Sequence, residues 1–178
     1  MRLFIAFDLP DAQKARVEAL VEALKARVDA RWTRAEGRHV TLVFLGETPT
    51  DAVPALTRAI DAVAARHRPH TLHVAGAGTF GASSHPRVLW LGLGGDLDTA
   101  RALQADLRAT LAVKDEHDGW APHLTLARSK HPKGDAALVE AARALERERF
   151  ASFSVDEVVL FESRGGRYGV VHTAKLSG

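Results

Sequence analysis

Residues 38–46 read RHVTLVFLG, Arg38-His39-Val40-Thr41-Leu42-Val43-Phe44-Leu45-Gly46, an apolar run of strand length interrupted by a histidine and a threonine two positions apart. Side chains two apart on a strand point the same way. Strict alternation therefore groups His39 and Thr41 with Val43 and Leu45, and sets Val40, Leu42 and Phe44 on the other face. One such pair on an apolar strand reads most simply as a satisfied core histidine. The chain, however, carries a second copy: His123-Leu124-Thr125-Leu126 matches His39-Val40-Thr41-Leu42.

Working outward, Leu3 to Leu9 alternates as a strand, and Pro10-Asp11 opens a helix with Val17, Leu20, Val21, Leu24 and Val28 at helical spacing. After the 38–45 strand, a helix from about Asp51 to His67 carries Val53, Leu56, Ile60 and Val63 on its inner face. Strands are expected at 70–76 and 87–93, a helix at 96–111, a strand at 121–130, a helix at 135–147, and closing strands at 152–161 and 168–175. Both halves thus run strand, helix, strand, helix, strand, and each places its histidine-threonine strand directly after its first helix. The architectural repeat coincides with the repeated motif.

The 178 residues suit one domain, and 46% hydrophobic with 26% charged residues is globular composition. There is no cysteine, which excludes disulfides, thiolate nucleophiles and sulfur-ligated metals. The opening residues have too short an apolar run for a signal peptide, and no stretch approaches the length of a membrane span, so a cytoplasmic protein is expected. Of 24 basic residues 18 are arginine, against a formal net charge of only +2. Arginine suits bidentate phosphate recognition, but genome composition produces the same bias, and charge alone names no partner.

Two imidazoles facing each other can serve as one acid and one base at neutral pH, because the ordinary histidine pKa is about 6.5. Phosphodiester cleavage needs both, one to protonate a leaving oxygen and one to activate a nucleophile. The threonine hydroxyls can donate to the non-bridging phosphate oxygens.

RLFIAFDLP at 2–10, RHVTLVFLGE at 38–47 and PHLTLAR at 122–128 resemble the bacterial and archaeal RNA 2′,3′-cyclic phosphodiesterases, also called 2′-5′ RNA ligases, of the two-histidine phosphoesterase superfamily. The resemblance extends to ESRGGRYGVVHTAKL at 162–176, where Ser163, Gly166 and Tyr168 look like that family's last hairpin. It implies a bilobal α+β fold: two similar lobes, each an antiparallel-rich sheet with helices outside, related by a pseudo-two-fold axis about a central cleft. It also implies metal-independent hydrolysis of a 2′,3′-cyclic phosphate to a 2′-phosphate, reversible as weak 2′-5′ ligation. His39 resembles the general acid that protonates O3′, and His123 the base that activates water, although the near-symmetry of the motifs alone admits either assignment. Thr41 and Thr125 match phosphate-contacting threonines, and Arg128 matches a phosphate-binding arginine. Strict alternation puts Arg128 opposite His123 and Thr125, so that role requires the strand to end or bulge near Ala127. The first motif also departs from the commoner form, with Glu36-Gly37-Arg38 where an asparagine-leucine pair is frequent.

Phe4 or Phe7, Trp32, Phe44, Trp120 and Tyr168 are candidates for stacking on a nucleobase, with a place in the core as the competing reading. Arg34, Arg38, Arg164, Arg167 and Lys130 flank the same regions and could meet RNA phosphates, or simply be solvated. Gly76-Ala77-Gly78-Thr79-Phe80-Gly81 spells a dinucleotide-binding turn, but Pro86 and the next strand follow where a helix would have to open, so a long β-β loop is expected instead. His67, His70 and His73 straddle Pro69, which ends the helix and keeps the three rings off one face. His85 and His131 precede prolines in turns; His117 and His172 stand without a motif.

The expectation is a single two-lobed domain over 1–178 with one HxTx motif per half, at 39–42 and 123–126. It would work as a monomer without metal or cofactor, on RNA with 2′,3′-cyclic phosphate or 2′-phosphate ends or on nucleotides. The rival readings are a non-catalytic binder of terminal phosphates, and a phosphodiesterase for 2′-5′ linked oligonucleotides or small cyclic phosphates.

Overall fold

A computed structural model describes residues 1–114 and 119–178, so His117 lies outside the described residues. In chain order the elements are β1 (Arg2–Asp8), α1 (Asp11–Lys25), β2 (Ala30–Trp32), β3 (His39–Glu47), α2 (Val53–Ala64), β4 (His70–Gly81), β5 (Pro86–Gly95), α3 (Leu97–Thr110), β6 (His123–Ser129), α4 (Ala137–Leu145), β7 (Phe153–Val155), β8 (Glu157–Arg164) and β9 (Arg167–Lys175). They form two antiparallel sheets, β3-β1-β8-β9 and β2-β6-β5-β4-β7. This is the α+β architecture that the family resemblance implies.

How the repeat is used is not visible in the strand order alone. Each half pairs its own first two strands, β1 with β3 and β5 with β6, but the third strands are exchanged: β4 of the first half lies beside β5, and β8 of the second beside β1. Both sheets are therefore stitched from both halves of the chain. The expected strand at 152–161 is in fact two, β7 in one sheet and β8 in the other, because the chain changes sheets at Asp156. The short β2, which sequence patterning did not indicate, extends the second sheet beside β6.

Each helix buries one stripe: Val17, Val21 and Leu24 on α1, Ile60, Val63 and Ala64 on α2, Ala100, Leu103 and Leu107 on α3, Leu138, Ala141 and Leu145 on α4. Helix α4 covers β4 and β5, while α2 packs on β8, β9 and α3. Full burial of each Leu, Ile or Val contributes about 1.5–3 kcal/mol, which fixes the backbones that carry the histidines. Among the described residues no helix is long and apolar enough to cross a membrane.

The glycine-rich segment is not the long loop expected of it. It lies within β4, and only 82–85 link β4 to β5. Gly76 adopts φ +75° where the β4-β5 register slips between Val74 and Ala77, a bulge geometry that glycine allows. Gly78 lies beneath Trp90, and a Cβ there would fall 2.4 Å from the indole.

Candidate active site

The motif strands β3 and β6 belong to different sheets and lie against each other where the sheets meet. Each contains a bulge at the same place. Along β1 and β3 the register steps from Ile5↔Val43 to Ala6↔Thr41, and along β5 and β6 from Leu89↔Ala127 to Trp90↔Thr125, leaving Leu42 and Leu126 as the extra residues. A bulge shifts the side-chain phase by one. Hence Val40, Leu42 and Val43 are buried together, as are Leu124, Leu126 and Ala127, while the residue three beyond each threonine turns back to the histidine's face. In β6 that residue is Arg128, exposed, so the bulge required for its expected role is present. In β3 it is Phe44, 70% exposed, and Val43 takes the core place that strict alternation gave to Phe44.

The imidazoles are held identically. His39 Nδ1 is 2.7 Å from the Gly37 carbonyl oxygen and His123 Nδ1 is 2.7 Å from that of Ala121, each two residues upstream. A carbonyl only accepts, so Nδ1 carries the hydrogen in each ring and Nε2 is left for proton exchange. Burial pushes the His39 pKa below its ordinary value, opposed by the Gly37 hydrogen bond and the Asp8 carboxylate, with smaller lowering from Lys14 and from His123. His39 and His123 each open a motif strand, and these two strands lie against each other where the sheets meet. Asp8 is the cross-strand partner of His39 and pairs with Lys14 at 2.7 Å.

Aromatic rings flank both histidines. Around His39 stand Phe4 at 4.7 Å, Tyr168 at 5.0 Å edge-on and Phe161 at 6.0 Å; around His123 stand Phe80 at 4.9 Å edge-on and Trp90 at 6.4 Å. Phe4 and Phe161, with Ala6 and Val159, form a small buried cluster of their own, separate from the main core, which floors the site beneath His39. Phe161 and Phe80 escaped the sequence reading because their strands reach the site only through the exchange of β8 and β4, and Trp90 because it meets His123 across the β5-β6 pairing, as the register partner of Thr125. Arg31 was missed too: the register of β2 sets it directly beside Arg128, on that residue's face.

Several sequence candidates lie elsewhere. Phe7 is 1% exposed and belongs to the main core, on the face of β1 opposite Phe4, so it does not reach a substrate. Trp32 is the register partner of buried Ala127, packs against the main core and donates its indole N–H to the Val28 carbonyl at 3.3 Å. Trp120 donates to the Thr41 carbonyl at 2.9 Å. Arg38 is buried, 2.5 Å from Glu18 Oε2, and Lys130 pairs with Asp29 at 2.5 Å. Arg164 pairs with Glu162 at 2.8 Å, while Arg34 and Arg167 are exposed. Of the other histidines, His67 pairs with Asp106 at 2.7 Å, and His70 is buried against Phe7. Among the described residues no three His, Cys, Asp or Glu side chains converge as a metal site.

The site can do acid-base chemistry on an anion: two Nε2 atoms, two threonine hydroxyls, and an arginine on the same face. A family model described as the 2′-5′ RNA ligase superfamily matches residues 9–167. An RNA 2′,3′-cyclic phosphodiesterase of Geobacillus stearothermophilus is 33% identical over 164 residues, 90% of this chain, although the match spans only 51% of that longer protein. One of Methanothermobacter thermautotrophicus is 27% identical over 97% of this chain and 95% of its own length. The crystal structure of E. coli LigT complexed with 3′-AMP superposes with a TM-score of 0.73 and 25% identity, over 99% of this chain and 98% of that one.

Proposed function

The chain belongs to the 2′-5′ RNA ligase superfamily, and on that premise we propose that it is an RNA 2′,3′-cyclic phosphodiesterase that opens the ring to a 2′-phosphate. The phosphorus sits between the two imidazoles. His123 Nε2 takes a proton from water, the water oxygen bonds to phosphorus, the P–O3′ bond breaks, and His39 Nε2–H delivers its proton to O3′. Turnover is completed when the proton gained by His123 returns to His39 through solvent. Each imidazole is worth roughly 10²- to 10⁴-fold. Thr41 and Thr125 donate to the non-bridging oxygens, and Arg128 adds fixed positive charge as negative charge builds there.

The observation that supports this reading is the duplicated histidine setting, in which two Nδ1–H groups tied to backbone carbonyls leave Nε2 of each ring for proton exchange, on two strands that lie against each other. Partial burial disfavours the charged form of the His39 ring before substrate arrives, and the phosphodiester anion offsets that desolvation by stabilising the imidazolium. Phe44, exposed 6.2 Å from the Phe4 ring, and Tyr168, exposed beside His39, provide faces for the terminal base, and the 3′-AMP held by the E. coli protein supports a nucleotide as the ligand. One chain supplies both motifs, which supports a monomer; a cytoplasmic setting is part of the same reading.

The test is product analysis on an RNA ending in a 2′,3′-cyclic phosphate, in excess EDTA. The expected product is a 2′-phosphate end formed at the same rate as without chelator. Binding of the RNA with no ring opening would leave only the role of a phosphate-end binder.

A further inference from the structure

A bulge leaves backbone groups of the extra residue without their ladder partners, and buried groups of that kind need another partner. In β3 the carbonyls on either side of the bulge are taken by side chains: the Trp120 indole N–H donates to Thr41 at 2.9 Å, and the Gln104 amide donates to Leu42 at 3.2 Å. In β6 the same two positions are both taken by Thr33. Its hydroxyl lies 3.0 Å from the Thr125 carbonyl oxygen and 3.1 Å from that of Leu126, and its backbone N–H donates to Leu126 at 2.8 Å.

The donors come from opposite ends of the repeat. Thr33 lies in the segment leading into the first motif and holds the bulge of the second; Trp120 leads into the second motif and holds the bulge of the first. Trp120 is one residue before Ala121, whose carbonyl fixes the His123 ring, and its indole grips the carbonyl two residues after His39. Thr33 is anchored in turn, since its carbonyl accepts from buried Arg38 at 3.3 Å, next to His39 in sequence. Each histidine's support is thus tied to the other histidine's strand.

Building on the acid-base reading above, we propose that Trp120 and Thr33 are positioning residues that cross-brace the two motifs and set the separation of the imidazoles. Neither side chain has to touch substrate. A displacement of about 1 Å between reacting groups can cost on the order of 10²-fold in rate, so loss of a brace should appear in the chemical step before it appears in binding.

The test uses Trp120→Phe, which removes the donor, and the pair Thr33→Val and Thr33→Ser, which removes and keeps the hydroxyl. Single-turnover opening of a 2′,3′-cyclic phosphate is measured across pH with the folded fraction of each variant determined. The expected result for Trp120→Phe and Thr33→Val is a chemical step slowed by about 10- to 100-fold with KM changed by less than about threefold, and a spacing between the two pH limbs that differs from wild type. Thr33→Ser should stay within about threefold of wild type. If both donor-deleting variants keep the wild-type rate and pH profile while His39→Ala and His123→Ala are inactive, the cross-brace is wrong and the acid-base reading stands. Loss of rate in Thr33→Ser equal to that in Thr33→Val would also overturn it. Wild-type activity in the histidine variants would instead overturn the reading on which it rests.

Discussion

His39 Nδ1 lies as far from the Gly37 carbonyl oxygen as His123 Nδ1 does from that of Ala121, 2.7 Å in each case. Both rings present Nε2, and what distinguishes them is environment. His39 is surrounded by Phe4, Phe161 and Tyr168, and its burial lowers its pKa.

That difference has a consequence for pH dependence. As proton donor His39 must be protonated, and its folded pKa lies below the ordinary value of about 6.5. The proton it must donate is lost as pH rises through that lowered pKa, which shrinks the active fraction of the free enzyme at neutral pH, while the falling limb of kcat/KM marks the higher of the pair's two macroscopic pKa values. In kcat, with the phosphodiester anion bound and stabilising the imidazolium, that limb should move to higher pH. Falling limbs at one common pH in both profiles would contradict that stabilisation.

Phe44 and Arg128 occupy equivalent places three residues beyond the two threonines, and the asymmetry between them predicts different defects. Arg128→Gln removes a charged hydrogen-bond donor worth about 1.5–3 kcal/mol and should lower kcat/KM by roughly 10- to 100-fold. Phe44→Ala removes a stacking face worth about 1–3 kcal/mol and should raise KM with kcat much less affected. Because Phe44 is 70% exposed, its melting temperature should hardly change. An unchanged KM for Phe44→Ala, measured by steady-state kinetics on a 2′,3′-cyclic mononucleotide, would remove Phe44 from the site.

Phe7 predicts the converse. Its ring lies in the main core with 1% exposure, and Phe7→Ala should cost about 3–5 kcal/mol of stability. With the gentler Phe7→Leu, KM per folded molecule should match wild type while denaturant unfolding shifts to lower concentration. A raised KM with unchanged stability would return Phe7 to the substrate side.

The four motif residues were legible because they are duplicated: His39 and Thr41 acquire meaning from His123 and Thr125. The helices and long strands were legible from their periods. What alternation could not show is phase beyond a bulge. It put Phe44 with Val40 and Leu42, and it left Arg128 on the wrong face unless the strand bulged. The adjacent apolar pairs Leu42-Val43 and Leu126-Ala127, each between polar or exposed positions, are the trace a bulge leaves in sequence. Phe7 and Phe4 both lie on a strand buried on its two faces, so composition cannot say which one looks into the site. Trp32 is on the core side because β2 pairs in register with Ala127, and the exchange of β4 and β8 is a non-local pairing that no local pattern records.

The central claim is that His39 and His123, from two halves of one chain, act as a single acid-base pair. Single-turnover opening of a 2′,3′-cyclic phosphate by His39→Ala, His123→Ala and the double variant, in excess EDTA, tests it most directly. Residues that act as a unit are non-additive, so each single variant should fall to the floor reached by the double while remaining folded. A folded single variant that keeps near wild-type turnover would contradict the claim.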